Sequence, residues 1–269
     1  MRRFASGTRW FASMSGLEWY QYLLIGLVFV WSGFVRSGLG FGGAVLSLPF
    51  LLLIDNAPLV FLPIIAAHLM FFSMLLALQQ RRSRDESERG SSVDWAYLRK
   101  AMTILIVPKL IGVFGLITLP ATVMGSIIFA IVTVYAFSYI LDRPFRSADP
   151  RLDTLFLVLG GYISGTSLIG APLIIAVFAT HVNPRQLRDT LFALWFILVS
   201  IKMAAFVYAG VDLQLVHHLW LLPCAGIGHV MGLRFHDYLM RADPKLFYRV
   251  LGCVLLFASG IGLARSFTG

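Results

Sequence analysis

The sequence is poor in charge. Only 13% of its residues are Asp, Glu, Lys or Arg, where a soluble domain carries about a quarter. That excludes a large water-exposed domain. Acidic residues are the scarcest, 13 against 22 Lys and Arg, which leaves a net charge of +9. On a soluble chain such an excess would suggest nucleic acid. Here the basic residues sit in short loops between apolar runs, where they set topology and meet anionic headgroups, so no nucleic-acid partner is expected. Cys224 and Cys253 both lie in apolar stretches with no CxxC and no His/Cys cluster, so neither a disulfide framework nor a metal site is expected. A phosphate-binding G-x-x-x-x-G-K-[ST] loop is also missing, which excludes ATP hydrolysis by this chain. No cofactor is expected.

What is abundant is hydrocarbon. The chain is 58% hydrophobic with a mean hydropathy of +0.82. Apolar runs of about 20 residues read as membrane spans. Full-length runs cover Leu17–Arg36, Leu59–Leu78, Ala101–Leu119, Ala121–Leu141, Leu191–Ala209, Leu213–Leu233 and Phe247–Ala264. Short ones cover Ala44–Ile54, Thr154–Ser164 and Pro172–Thr180. The expected fold is an all-α polytopic membrane protein in a lipid bilayer. Met1–Gly16 reads as a basic tail, 17–141 as a first transmembrane repeat, 142–153 as a linker and 154–269 as a second repeat. The stretches Gln79–Lys100, Asp142–Asp153, His181–Asp189 and Arg234–Arg249 hold 15 of the 22 basic residues. Positive-inside reasoning puts these four in the cytoplasm; ten spanning segments then leave both termini outside, while a re-entrant Ala44–Ile54 would move the N-terminus inside.

The two halves echo each other. A shift of 128 residues lays "GFVRSGLGFGGAVLSLPF" (Gly33–Phe50) on "GYISGTSLIGAPLIIAVF" (Gly161–Phe178). Gly33 meets Gly161, Gly42 meets Gly170 and Phe50 meets Phe178. In each copy a glycine-rich break separates an apolar stretch from a short one. Five segments per half make the repeat an inverted one, and helices broken at matching places in two halves point to a transport site. Glycines that let helices pack closely would explain one small-residue face. They do not explain two matched breaks, each followed by an undersized segment.

These residues resemble the TauE/SafE family of membrane permeases. Gly33, Gly38, Gly40, Gly42, Gly43 and Pro49 match its glycine-rich first signature, with Ala44 where a further glycine is usual. At the second signature Gly170 and Pro172 match, and Ala171 stands in place of a glycine. The resemblance spans nearly the whole chain. It implies transport, commonly export, of small sulfur-containing anions such as sulfite, sulfoacetate or other organosulfonates across a bacterial inner membrane.

The residues themselves support an anion site. Outside the loops and tails three basic residues remain, Arg36, Lys109 and Lys202, and all fall within apolar segments. Each costs at least a few kcal/mol there unless paired or wetted. An anionic substrate is the expected partner, with Lys202 ranked first, then Arg36, for which snorkelling to an interface is the alternative, then Lys109, for which a carbonyl freed by Pro108 is the alternative. Gly40, Gly42 and Gly43 precede the half-helix at Ala44, and Gly170 precedes the one at Pro172. Helix N-termini offer free N–H groups to anions, and inverted symmetry would set the two N-termini facing each other. Ser37, Thr166 and Ser167 add hydroxyls. His68 and His229, both mid-span, are candidates for carrying a coupled proton.

Two other classes compete. An intramembrane hydrolase could use the serine of "GYISG" (Gly161–Gly165), though no H-E-x-x-H or paired aspartates accompany it and no catalytic residue is assigned. A channel or an accessory subunit would lack the logic of an inverted repeat. A homodimer is compatible with the sequence.

Overall fold

The computed structural model describes residues 14–39, 43–83, 92–147, 149–241 and 244–268. The described residues form ten α-helices after a short 3-10 turn at Met14–Gly16, and no strand. They are α1 (Trp19–Leu39), α2 (Gly43–Ile54), α3 (Pro58–Ser83), α4 (Trp95–Thr118), α5 (Ala121–Ile140), α6 (Pro150–Ser167), α7 (Ala171–His181), α8 (Pro184–Tyr208), α9 (Leu215–Arg241) and α10 (Pro244–Thr268). Each apolar run of the sequence falls on one helix. Among the described residues, stretches of α3, α4, α5, α8 and α10 are long and apolar enough to cross a membrane, while α2 and α7 are shorter apolar helices. The basic tail 1–13 lies outside the described residues, as do Gly40 and Gly42.

Several helices start earlier than hydropathy alone suggests, and caps explain why. Asp149 precedes Pro150 and its carboxylate accepts from Arg151 N, so α6 begins before the apolar run at Thr154. Asn183 precedes Pro184 and accepts from Arg185 N at 3.0 Å, so most of the basic stretch His181–Asp189 is helical. Asp94 accepts from Tyr97 N at 2.9 Å ahead of α4. A short polar side chain satisfies the first free N–H groups, and proline is at home in the first helical turn.

The helices gather into two compact units, and each draws on both halves of the chain. One takes the described residues of Met1–Ile64, Ile117–Arg143 and Ala205–Gly269. In it α1 packs on α2 and α9, and α10 packs on α5 and α2. The far end of α2 is tied down by side chains: Arg265 Nη1 donates to Leu53 O at 3.0 Å and Gln21 Nε2 to Ile54 O at 3.2 Å. Those bonds satisfy carbonyls that the helix cannot satisfy itself. The other unit takes Ile65–Leu116 and Pro144–Ala204. Its core is built by Leu98 and Leu105 of α4, Leu157 of α6, Ile174 and Phe178 of α7 and Leu194 of α8.

The turn from α6 to α7 leaves no room for a side chain at Gly170. A Cβ there would collide with the Gly160 carbonyl oxygen and come within 3.0 Å of Ser164 N. Both obstacles are backbone, so they cannot swing away. Gly170→Ala is expected to destabilise the purified protein by about 2 kcal/mol or more. Gly226→Ala in α9, where nothing lies within 4 Å, should be neutral or slightly stabilising. Paired thermal melts in one detergent test this, and equal melting of the two variants would contradict the tight turn.

Candidate functional site

The site is clearest in the unit that holds α4, α6, α7 and α8. Helix α6 ends at Ser167 because Leu168 turns into the left-handed region, φ 63°, and its N–H caps back onto Ser164 O. A leucine held there is strained by roughly 1–2 kcal/mol, and such outliers concentrate where structure serves a site. Ile169 and Gly170 link to α7, whose second residue is Pro172. The first bond within α7 runs from Ile174 N to Gly170 O. That leaves the N–H groups of Ala171 and Leu173 outside the helical ladder, while Pro172 has none. Two free amides and the positive helix end therefore sit at the break.

Lys109 on α4 reaches this break because α4 and α6 touch backbone to backbone. A Cβ on Gly161 would lie 2.7 Å from Leu105 O, and one on Gly165 would strike Lys109 O. Small residues permit such crossings. Lys109 is 0% exposed. Its Nζ donates to Ser164 Oγ at 3.0 Å and contacts Ser164 O at 3.5 Å. Ser164 is the residue whose N–H abuts Gly170, so ammonium, hydroxyl and hairpin break converge. Lys202 on α8 is also 0% exposed and is close enough for the two ammonium charges to repel. The described acidic residues of this unit are Asp94, Asp149, Asp153 and Asp189, and all lie within two turns of a helix start. Asp189 precedes Lys202 by roughly 20 Å of helix.

The other expected residues of this unit take plainer places. Thr166 and Ser167 are fully buried, and both hydroxyls donate to Ile163 O, at 3.1 and 2.9 Å. Their oxygens keep acceptor capacity, but their hydrogens are spent within α6. His68 is buried on α3. Ser164 is the hydroxyl that meets the lysine, and the sequence reading did not place it in the anion site. The signal was its spacing, one helical turn after Gly161 and at the end of the same helix.

The unit of α1, α2 and α9 holds a second cluster. Gly33 packs on α9, where a Cβ would strike Ala225 O. One turn further along α1 the Ser37 hydroxyl bonds to His229 Nδ1. His229 is buried on α9, and Arg36 lies in the last turn of α1. The Arg36 Cβ packs against Gly43, the first residue of α2. The Gly43 carbonyl accepts from Ser32 Oγ at 3.1 Å and Ser47 Oγ at 2.6 Å, which pins the start of α2 to α1. Arg36, Ser37, Gly43 and His229 are thus brought together in one unit.

The family model described as Sulfite exporter TauE/SafE matches residues 24–263, from α1 into α10. The chain belongs to the TauE/SafE family. This is a family of membrane transporters of sulfur-containing anions. No curated protein and no solved structure matches the chain. Both clusters fall inside the matched TauE/SafE region.

The TauE/SafE chain also closes its α6–α7 hairpin at the open end. His181 in the last turn of α7 bonds through Nε2 to Asp153 Oδ2 at 2.6 Å. Asp153 lies in the first turn of α6, so each charge complements its helix dipole. Ser147 donates to the other carboxylate oxygen, and Tyr97 of α4 stacks on the imidazole with ring centroids 5.1 Å apart. Burial works to raise the Asp153 pKa. The hydrogen bonds from Ser147 and His181 and the charges of His181 and Lys100 outweigh it and hold the group below its ordinary 3.8.

Two predictions follow from these contacts. A buried ammonium is dearer to the fold than a hydrocarbon of equal size, and such replacements are often neutral or stabilising. Lys109→Met is therefore expected to melt no lower than the parent in detergent, and a fall of several degrees would show that the lysine is structural. For the latch, a depressed carboxylate stabilises above pH 3.8 and loses that contribution as pH falls through its folded value. Asp153→Asn should cost less than about 1 kcal/mol near neutral pH. The difference from the parent in chemical-denaturant melts should vanish in stronger acid, and a gap that persists there would contradict the ion pair.

Proposed function

We propose that this chain is a secondary transporter that exports sulfite or small organosulfonates such as sulfoacetate across a bacterial inner membrane by alternating access. The half-helix N-termini of α2 and α7 serve as its anion-binding elements. The observation that carries the reading is the Lys109 ammonium on the Ser164 hydroxyl, beside the free amides at the start of α7. A tetrahedral or pyramidal oxyanion accepts several such donors at once. When both buried amines carry protons, an anion relieves the repulsion between them.

The inverted repeat is supported by matched contacts inside each unit. In one, the first helix of the first half crosses the fourth helix of the second half, with Gly33 on Ala225 O. In the other, the first helix of the second half crosses the fourth helix of the first half, with Gly161 on Leu105 O. Gly33 and Gly161 are the pair that the 128-residue shift aligns. With no nucleotide loop in the sequence, the driving force is ionic or electrical. One negative charge leaving a negative interior gains about 2.3 kcal/mol per 100 mV.

One observation favours a second reading. Serine and lysine in hydrogen-bond contact also form the nucleophile and base of a hydrolase, and Ser164 is the serine of "GYISG". Ser164 and Lys109 are both buried, which keeps a peptide from Ser164 Oγ in this conformation. Labelling of the parent, and not of Ser164→Ala, by a fluorophosphonate probe would establish that reading.

The transport reading is tested in proteoliposomes. Sulfite or sulfoacetate flux is expected in the parent, with Lys109→Met and Lys202→Met each at least about tenfold slower, the loss of one charge-assisted hydrogen bond or more. Gly226→Ala should match the parent. Parental flux in Lys109→Met at equal protein content would remove Lys109 from the site.

A further inference from the structure

The cluster around Lys109 has a counterpart in the other unit, with a histidine in place of the lysine and the serine displaced by one position. A shift of 120 residues carries Leu105 to Ala225, Lys109 to His229 and Gly112 to Gly232. Leu105 and Ala225 are the residues whose carbonyl oxygens meet Gly161 and Gly33, so the shift follows the packing as well as the sequence. Lys109 binds a serine hydroxyl on α6, and His229 binds a serine hydroxyl on α1. Position for position, a lysine in one unit is a histidine in the other.

The exchange changes what the serine can do. A hydroxyl has one hydrogen to give. As an ammonium Lys109 can only donate, so Ser164 receives from it and the Ser164 hydrogen is available to an anion. A neutral imidazole protonated at Nε2 accepts at Nδ1 and consumes the Ser37 hydrogen. A doubly protonated imidazole can only donate at Nδ1, and the Ser37 hydrogen is released. Among the described residues α1 is the main element packed on α9, and the charged group it brings to the imidazole is Arg36. Arg36 and an imidazolium are like charges, and an anion between their donors offsets both.

We propose that His229, Ser37 and Arg36 form a second half-site for a small oxyanion, one that binds the anion only together with a proton on the His229 imidazole. This rests on the anion-transport reading and adds its coupling: proton and anion each raise the affinity for the other, by equal factors.

The probe is methanesulfonate, which stays ionised throughout the range used, so any pH dependence belongs to the protein. Its affinity for the purified full-length chain is measured by calorimetry from pH 5.5 to 8.5. The parent should weaken with rising pH, approaching about tenfold per unit, the limit for one linked proton. His229→Gln should lose the share of that slope which the His229 proton supplies and should bind more weakly than the parent at low pH, and His229→Asn serves where the glutamine variant folds poorly. Parental binding that is flat with pH overturns this proposal and leaves the anion reading standing. An unchanged slope in His229→Gln or His229→Asn also overturns it. No binding by the parent at any pH overturns it together with the anion reading.

Discussion

An ammonium group shut away from water inside an apolar helical unit is the constraint from which the rest of the architecture follows. Lys109 cannot reach a headgroup from its buried place on α4, and the described carboxylates of its unit are at helix ends. Its bonds must come from nearby backbone and hydroxyls. That requires α6 to approach closely, which Gly161 and Gly165 allow, and requires α6 to stop at Ser167 so that a free helix end lies beside it. The strain at Leu168 and the absence of any side chain at Gly170 are both consequences of making that stop tight. Each of these features costs stability.

The same plan recurs around α1 and α9 with different chemistry. There the crossing again depends on a glycine, Gly33, and the serine again meets a basic residue of the partner helix. There the basic residue is a histidine, whose Nδ1 donates only when the ring is doubly protonated, and the serine stands one position further along its helix.

Much of this was legible in the sequence, because membrane burial writes a strong signal. The ten apolar runs became ten helices, and the glycine breaks with Pro49 and Pro172 marked the two short helices, α2 and α7. Gly33 and Gly161 could be paired by a simple shift. Helix starts were less legible, since hydropathy ignores the Asp149-Pro150 and Asn183-Pro184 caps that extend α6 and α8 into polar territory. The site was only half legible. Sequence singles out a buried lysine by its cost, but not the hydroxyl it meets. Ser164, Thr166 and Ser167 lie within one turn of each other, and only the crossing angle of α4 and α6 decides that Ser164 meets Lys109 while the others bond back to Ile163. Likewise Ser37 and His229 are 192 residues apart, and nothing local joins them.

The central claim is that an oxyanion sits at the Lys109 ammonium. Selenite replaces sulfite with an atom that scatters anomalously, so a crystal of the full chain grown with selenite locates the ligand directly. The account predicts an anomalous peak within about 4 Å of Lys109 Nζ, the span of one N–H···O bond plus the bond to the central atom, beside Ser164 and the start of α7. The peak should disappear in Lys109→Met. Selenite found only among the loop arginines, with none at Lys109, would contradict it.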